Sequence, residues 1–392
     1  MKKMAFVVQR YGAEVNGGAE TLAREMVEHL SSDFDVEVLT TKAADYITWE
    51  NSYQNDIDCI NGIKVRRFDV PNPRNIKKFI KCSNSVIENP KHTLEQEKEW
   101  FNLQGPFVPA LIQFISEHSD DYDVFVFMTY LYYTTVKGLP KVAEKSVLIP
   151  TAHDEPPIYL KTFEKIFKMP KGIFYLTHEE QEFVEKKFHN ADIINNGGVG
   201  GSGVDVPVST NKNFISDKYG VTEYILYAGR IDVSKGCKEL FRFFLRYKRH
   251  NRNNVKLVMI GRPVIRIPRS KNILSLGFVS EQEKYDIMSG AKLLIMPSEF
   301  ESLSIVVLEA LALGVPVMCN GKCHVLKGHC ERSKAGETYT DYSEFENVMN
   351  KMTAAGYITE QLKANAVSYI KNNYTWDIII NKFKDVVKGV IG

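Results

Sequence analysis

Short apolar runs alternate with helical periodicities along almost the whole chain, and few folds accept that alternation. The runs are "MAFVVQ" (4–9), "VEVLTT" (36–41), "DVFVFMT" (123–129), "SVLIPT" (146–151), "YILYAG" (224–229), "VKLVMIG" (255–261), "AKLLIMP" (291–297) and "VPVMCN" (315–320). Each is strand-length and too short to cross a membrane. Between them, patterns such as Ala19, Leu22, Ala23, Met26, Val27 and Leu30 follow a helical face. Strands alternating with helices predict parallel sheets covered on both faces, an α/β doubly wound fold.

At 392 residues the chain exceeds what one core usually holds, so two domains are expected. The segment "NNGGVGGSGVDVPVSTNKN" around residues 196–222 is rich in Gly, Ser, Asn and Pro, and a fresh strand–helix series follows it. It places a boundary at 208/209. Two Rossmann-like domains facing across a cleft are the predicted architecture, with ligands at the carboxyl ends of strands.

Charge is divided unevenly. Residues 1–200 carry 23 Lys and Arg against 29 Asp and Glu, whereas residues 201–392 carry 27 against 19. The second half therefore suits an anionic ligand. The overall charge of +2 gives no argument for nucleic acid as a partner. Lys2 and Lys3 precede a run too short for a signal peptide. With six cysteines and no secretion signal, reduced thiols and a cytoplasmic location are expected.

Two motifs carry chemistry. In "PSEFESLSIVVLEALALGVPV" (297–317), Glu301 stands at a helix mouth and Glu309 inside an apolar run. Gly314 and Pro316 end the helix. The backbone amides of Leu303 and Ser304 would face a ligand from the helix N-terminus, which suits phosphate. A carboxylate at 309 is costly unless it accepts hydrogen bonds, and sugar or ribose hydroxyls could supply them. In "LYAGRIDVSKG" (226–236), Arg230 leaves a strand end and Lys235 follows in a turn. A planar fork and a point charge together make a diphosphate clamp.

Together these motifs resemble the GT-B retaining glycosyltransferases of family 4, also called glycosyl transferases group 1. The frame is carried by Pro297, Ser298, Glu301, Glu309, Ala310, Ala312, Gly314, Pro316 and Val317, and by "VMIGRP" and "ILSLGFVSEQEKYDIMSGAKLLIMPS" between the two motifs. The resemblance implies transfer from a nucleotide-diphosphate sugar, a UDP- or GDP-sugar, without a metal cofactor. The acceptor would be a glycan or a lipid-linked molecule, in cell-surface polysaccharide or glycoconjugate assembly. It implies that Arg230 and Lys235 bind the diphosphate, Glu309 the ribose and Glu301 the transferred sugar. Gly261, Arg262, Gly277, Phe278 and Val279 would lie beside the base. In the first domain it implies donor contacts from the glycine loop Gly17–Gly18 and from His153, and acceptor contacts from Asn16 and Asp154. It also implies that a last helix, 376–392, packs back on the first domain, leaving 209–375 as the nucleotide-sugar domain. Many relatives have glycine where this chain has Ser302 and Ser304.

Other signals are weaker. "GVGGSG" (198–203) lacks the helix a dinucleotide fingerprint needs. Three D-x-D pairs are too cheap to mark a metal site. Cys319, Cys323, His324, His329 and Cys330 do not give zinc-knuckle spacing. "RNIKKFIKC" (74–82) mixes basic and apolar residues and is a candidate peripheral contact with a membrane surface. A catalytically silent partner protein and a sugar-nucleotide epimerase are the alternative functions.

Overall fold

In the computed structural model, which describes residues 1–15, 17–195 and 198–392, the chain forms two compact units. The first comprises Met1–Ser202 with Ile379–Gly392, and the second Gly203–Ile378. The strands are β1 (Lys2–Val7), β2 (Phe34–Thr41), β3 (Ile57–Ile60), β4 (Ile63–Phe68), β5 (Val124–Met128), β6 (Ser146–Ile149) and β7 (Gly172–Ile173) in the first unit. In the second they are β8 (Tyr224–Ala228), β9 (Lys256–Ile260), β10 (Ile273–Gly277), β11 (Leu293–Met296), β12 (Val317–Asn320) and β13 (Gly336–Tyr339).

The second sheet has the order β10-β9-β8-β11-β12-β13 and is parallel throughout. Counted within the unit this is 3-2-1-4-5-6, the doubly wound order, whose direction reverses between β8 and β11. The first sheet, β3-β4-β2-β1-β5-β6-β7, repeats that order from β4 onward, with β3 added antiparallel at its edge. Central strands such as β5, β8 and β11 are buried on both faces, which explains their continuous apolar sequences. In the second unit, Phe243, Phe244, Tyr247 and Phe345 pack over the sheet.

All eight predicted strands are present. The edge strands β3, β7, β10 and β13, and β4 beside β3, are additional. The C-terminal helix Trp376–Ile391 buries Ile379, Phe383, Val386 and Val387. Phe383 meets Phe174 edge-on at 5.1 Å, and Lys382 Nζ donates to the Val199 carbonyl at 2.8 Å. The apolar face of this helix is thereby satisfied within the first unit.

Candidate active site

The switch point of the second sheet gathers the charged residues. Tyr227 at the end of β8 donates its hydroxyl to the Arg230 carbonyl at 2.7 Å. The turn that follows is organised by Asp232. Its carboxylate accepts from the Ser234 hydroxyl at 2.7 Å and the Lys235 amide at 2.9 Å, and it pairs with the Arg230 guanidinium. Burial works against this carboxylate, but bonds from Ser234, Lys235 and Arg230 outweigh it and hold its pKa below the usual aspartate value. Gly236 closes the turn at φ +72°, and a Cβ there would lie 2.3 Å from the Pro297 carbonyl oxygen. Only glycine lets the two strand-end loops approach this closely.

Across that approach lies the loop after β11. Lys235 Nζ meets Glu301 Oε1 at 2.6 Å, joining the two predicted motifs directly. Ser304 starts the helix Ile305–Ala312 with φ +66°, the left-handed region. This accounts for glycine at that position in the resembling family. Ser304 is 8% exposed, and its hydroxyl has no hydrogen-bond partner. The amides of this helix's first turn lack intrahelical acceptors.

Glu309, 8% exposed, accepts from Lys284 Nζ at 2.6 Å, and the Tyr285 hydroxyl lies 3.1 Å from the same oxygen. A ligand hydroxyl was expected to supply what the carboxylate needs, yet the chain supplies these two partners itself. Both come from the helix Glu281–Ser289, begun by a reciprocal capping box between Ser280 and Glu283.

Gly261 and Arg262 follow β9, Gly277 ends β10, and Phe278 and Val279 follow it. At Gly261, φ is +122° and a Cβ would lie 2.0 Å from the Gly229 carbonyl oxygen, so the ends of β8 and β9 meet through glycine. Phe278 is 71% exposed.

In the first unit, His153 and Asp154 follow β6. His153 Nε2 lies 3.4 Å from Glu155 Oε2, and exposed Asp154 accepts from Tyr159 at 2.7 Å. The backbone before His153 is tied by Glu180, whose buried carboxyl accepts from the amides of Ala152 and Leu176. Burial pushes this carboxyl up to about 8, against the pull of those amides. Gly17 caps the helix Gly18–Leu30, and a Cβ on it would meet the Glu20 carboxylate, itself paired with Arg10 at 2.6 Å. Gly18 has open space around it. Asn16 lies outside the described residues. The Gln104 carbonyl accepts from Trp49 Nε1 at 2.8 Å, a structural use of the "QGP" segment.

Five contributors were not assigned roles from sequence: Asp232, Lys284, Tyr285, Glu180 and His329. Lys284 and Tyr285 sat inside the family-like segment, and the capping-box spacing was the available signal. His329, weighed only as a zinc ligand, instead bonds the Leu303 carbonyl and the Tyr369 hydroxyl, each at 2.9 Å.

Comparison with known proteins bears on the family and the fold. Residues 208–328 match the family described as glycosyl transferases group 1. An uncharacterized glycosyltransferase of Methanocaldococcus jannaschii is 25% identical over 176 residues. That alignment spans 42% of this chain and 44% of the relative, less than half of its length. A sucrose-phosphate synthase from Thermosynechococcus elongatus superposes with a TM-score of 0.72 at 13% identity, covering 99% of this chain and 98% of that one. Anabaena HepE in complex with UDP and glucose gives 0.70 at 15% identity, covering 99% and 100%. WaaG, a glycosyltransferase involved in lipopolysaccharide biosynthesis, gives 0.65 at 15%, covering 98% and 100%. At these identities the likeness is one of fold, and the fold is GT-B.

Proposed function

We propose that the protein is a retaining glycosyltransferase that moves a sugar from a nucleotide-diphosphate sugar, a UDP- or GDP-sugar, to a glycan or lipid-linked acceptor. Cell-surface polysaccharide or glycoconjugate assembly on the cytoplasmic side is the setting this reading favours. The observation that carries it is the Lys235–Glu301 pair, flanked by Arg230 and by the helix that begins at Ser304, at the switch point of the second sheet. The family match over residues 208–328 and the UDP-bound HepE neighbour support it.

In this reading the bond from the sugar's anomeric carbon to the β-phosphate oxygen breaks, and its electron pair stays on the diphosphate. Arg230, Lys235 and the amides of Leu303 and Ser304 stabilise that growing charge, a preorganised electrostatic contribution. Glu301 orients the sugar and Glu309 the ribose, with Lys284 and Tyr285 fixing the Glu309 carboxylate. Gly261, Arg262, Gly277, Phe278, Val279 and Ser302 border the rest of the donor. The acceptor oxygen forms the new bond on the face the leaving group vacates, and its proton goes to the departing phosphate oxygen. We assign His153, Gly17 and Gly18 to the donor sugar and Asp154 and Asn16 to the acceptor. No step needs a metal.

The test is thermal stabilisation by UDP, GDP, ADP and dTDP, with magnesium or with a chelator, on wild type and Arg230→Ala. A diphosphate that binds the folded state raises its melting point. Stabilisation of wild type alone, with or without metal, supports the donor site. Absence of any effect on wild type overturns it. Product analysis with and without acceptor then separates transfer from epimerisation.

A further inference from the structure

Positive charge is concentrated in one segment of the second unit. Between Cys237 and Asn272 the chain has eleven Lys and Arg and a single acidic residue, Glu239. The remainder carries 39 against 47, so this one segment reverses the sign of the whole protein. It consists of the helix Cys237–His250, strand β9 and the loop leading to β10.

The fold brings the two ends of the segment together. Arg242, Leu245, Lys248 and Arg249 on the helix and Ser270 and Asn272 on the loop line one shallow depression of about 430 Å³. Arg269 and Lys271 flank its loop side in sequence and are exposed. Arg242 pairs with Glu239 at 2.9 Å, and Arg246 lies over the Tyr342 ring at 3.8 Å. Among the described residues, Arg249, Arg252, Arg266, Arg269 and Lys271 have no carboxylate within ion-pair distance. Arg249 lines the depression, and Arg269 and Lys271 adjoin its lining residues Ser270 and Asn272; unpaired like charges gathered there repel, so an opposite charge from outside would stabilise them.

The neighbouring side chains narrow the class of partner. In "RPVIRIPRSK" (262–271), basic and apolar residues are interleaved, and Val264 is 55% exposed. This loop has no aromatic residue, and the helix's Phe241, Phe243, Phe244 and Tyr247 are buried. A surface for single-stranded nucleic acid needs exposed rings on which bases stack, and none of the residues lining this depression is aromatic. Basic side chains with small apolar ones between them suit a lipid headgroup layer, where the charges meet phosphates and the apolar groups enter the acyl boundary.

We propose that this face of the second unit docks on an anionic lipid bilayer. The site is separate from the candidate 74–82 contact in the first unit and does not depend on the donor-site assignment.

The experiment is co-sedimentation of the full chain with phosphatidylglycerol–phosphatidylcholine vesicles and with phosphatidylcholine alone, at low and high salt. Wild type is compared with Arg249→Gln/Arg269→Gln and with Arg266→Gln/Lys271→Gln. Each neutralised cation should weaken partition about fivefold, so each double variant about 25-fold. Binding should require phosphatidylglycerol and weaken in high salt. Circular dichroism and the melting point of each variant confirm that it is folded. Failure of wild type to bind, equal binding to neutral vesicles, or undiminished binding by both folded variants overturns the proposal. So does a preference for a single-stranded oligonucleotide over vesicles in direct competition.

Discussion

His329 Nε2 lies 2.9 Å from the carbonyl oxygen of Leu303, the residue before Ser304, which starts the helix Ile305–Ala312 at a positive φ. A carbonyl only accepts, so Nε2 carries the proton, and Nδ1 accepts from Tyr369. Tyr369 in turn meets Tyr374 at 3.2 Å. This buried chain fixes the loop that carries Glu301 and Ser304.

Replacing His329 with Phe should leave a buried carbonyl unpaired, at a cost of about 1–3 kcal/mol. The melting point should fall by about 5 °C. Affinity for the nucleoside diphosphate should fall further than affinity for the parent nucleoside, since the proposed donor site sets this loop against the diphosphate. Calorimetry on the two ligands checks this, and equal losses for both would refute a loop-positioning role.

Ser304→Gly should stabilise the unliganded protein by about 1 kcal/mol, because it removes a side chain from the left-handed region and an orphan buried hydroxyl. If that hydroxyl is kept for the donor, diphosphate affinity should drop in the same variant. Denaturant unfolding and ligand titration read the two effects separately.

Gly236→Ala should cost at least about 3 kcal/mol, since a Cβ at this positive φ would strike the Pro297 backbone. Gly18→Ala meets open space and serves as the mild comparison. Similar urea midpoints for the two variants would contradict the close approach of the loops.

Asp232 has a lowered pKa, so its contribution to stability is present above the ordinary aspartate value of 3.8 and disappears as pH falls through the lowered one. Asp232→Asn should therefore be less stable than wild type at neutral pH, with the gap closing in strong acid. A constant gap across the acid range would show that this carboxylate is not held ionised by its neighbours.

Glu180 gives the opposite sign. Its ordinary value is 4.5, and burial raises it to about 8. Over that window the unfolded chain has released the proton while the folded chain retains it, so stability declines as pH rises and levels off above about 8. Glu180→Gln should flatten this decline, whatever it does to absolute stability. Urea midpoints across the window decide it.

The central strands were legible because burial on both faces writes itself as unbroken apolar sequence. The edges were not. β3 alternates exposed and half-buried positions, β4 alternates buried and more open ones, and their Asn61–Gly62 turn, with both φ positive, is the hairpin signal between them. β10 is only partly covered and reads as a mixed segment. Candidate site residues after strands, such as Arg230, Glu301 and His153, could be named because the doubly wound pattern says where loops bear function and because their motifs resemble a known family.

Sequence alone thus determined the α/β alternation and which cations and carboxylates stand in the loops that follow strands. Tertiary structure decided who meets whom: Lys235 with Glu301 across 66 residues, Glu309 with Lys284, and His329 with Leu303. Periodicity records only whether a position is buried. Pairing depends on the crossovers that set β8 beside β11, and on glycines that let neighbouring loops touch. No single segment contains that information.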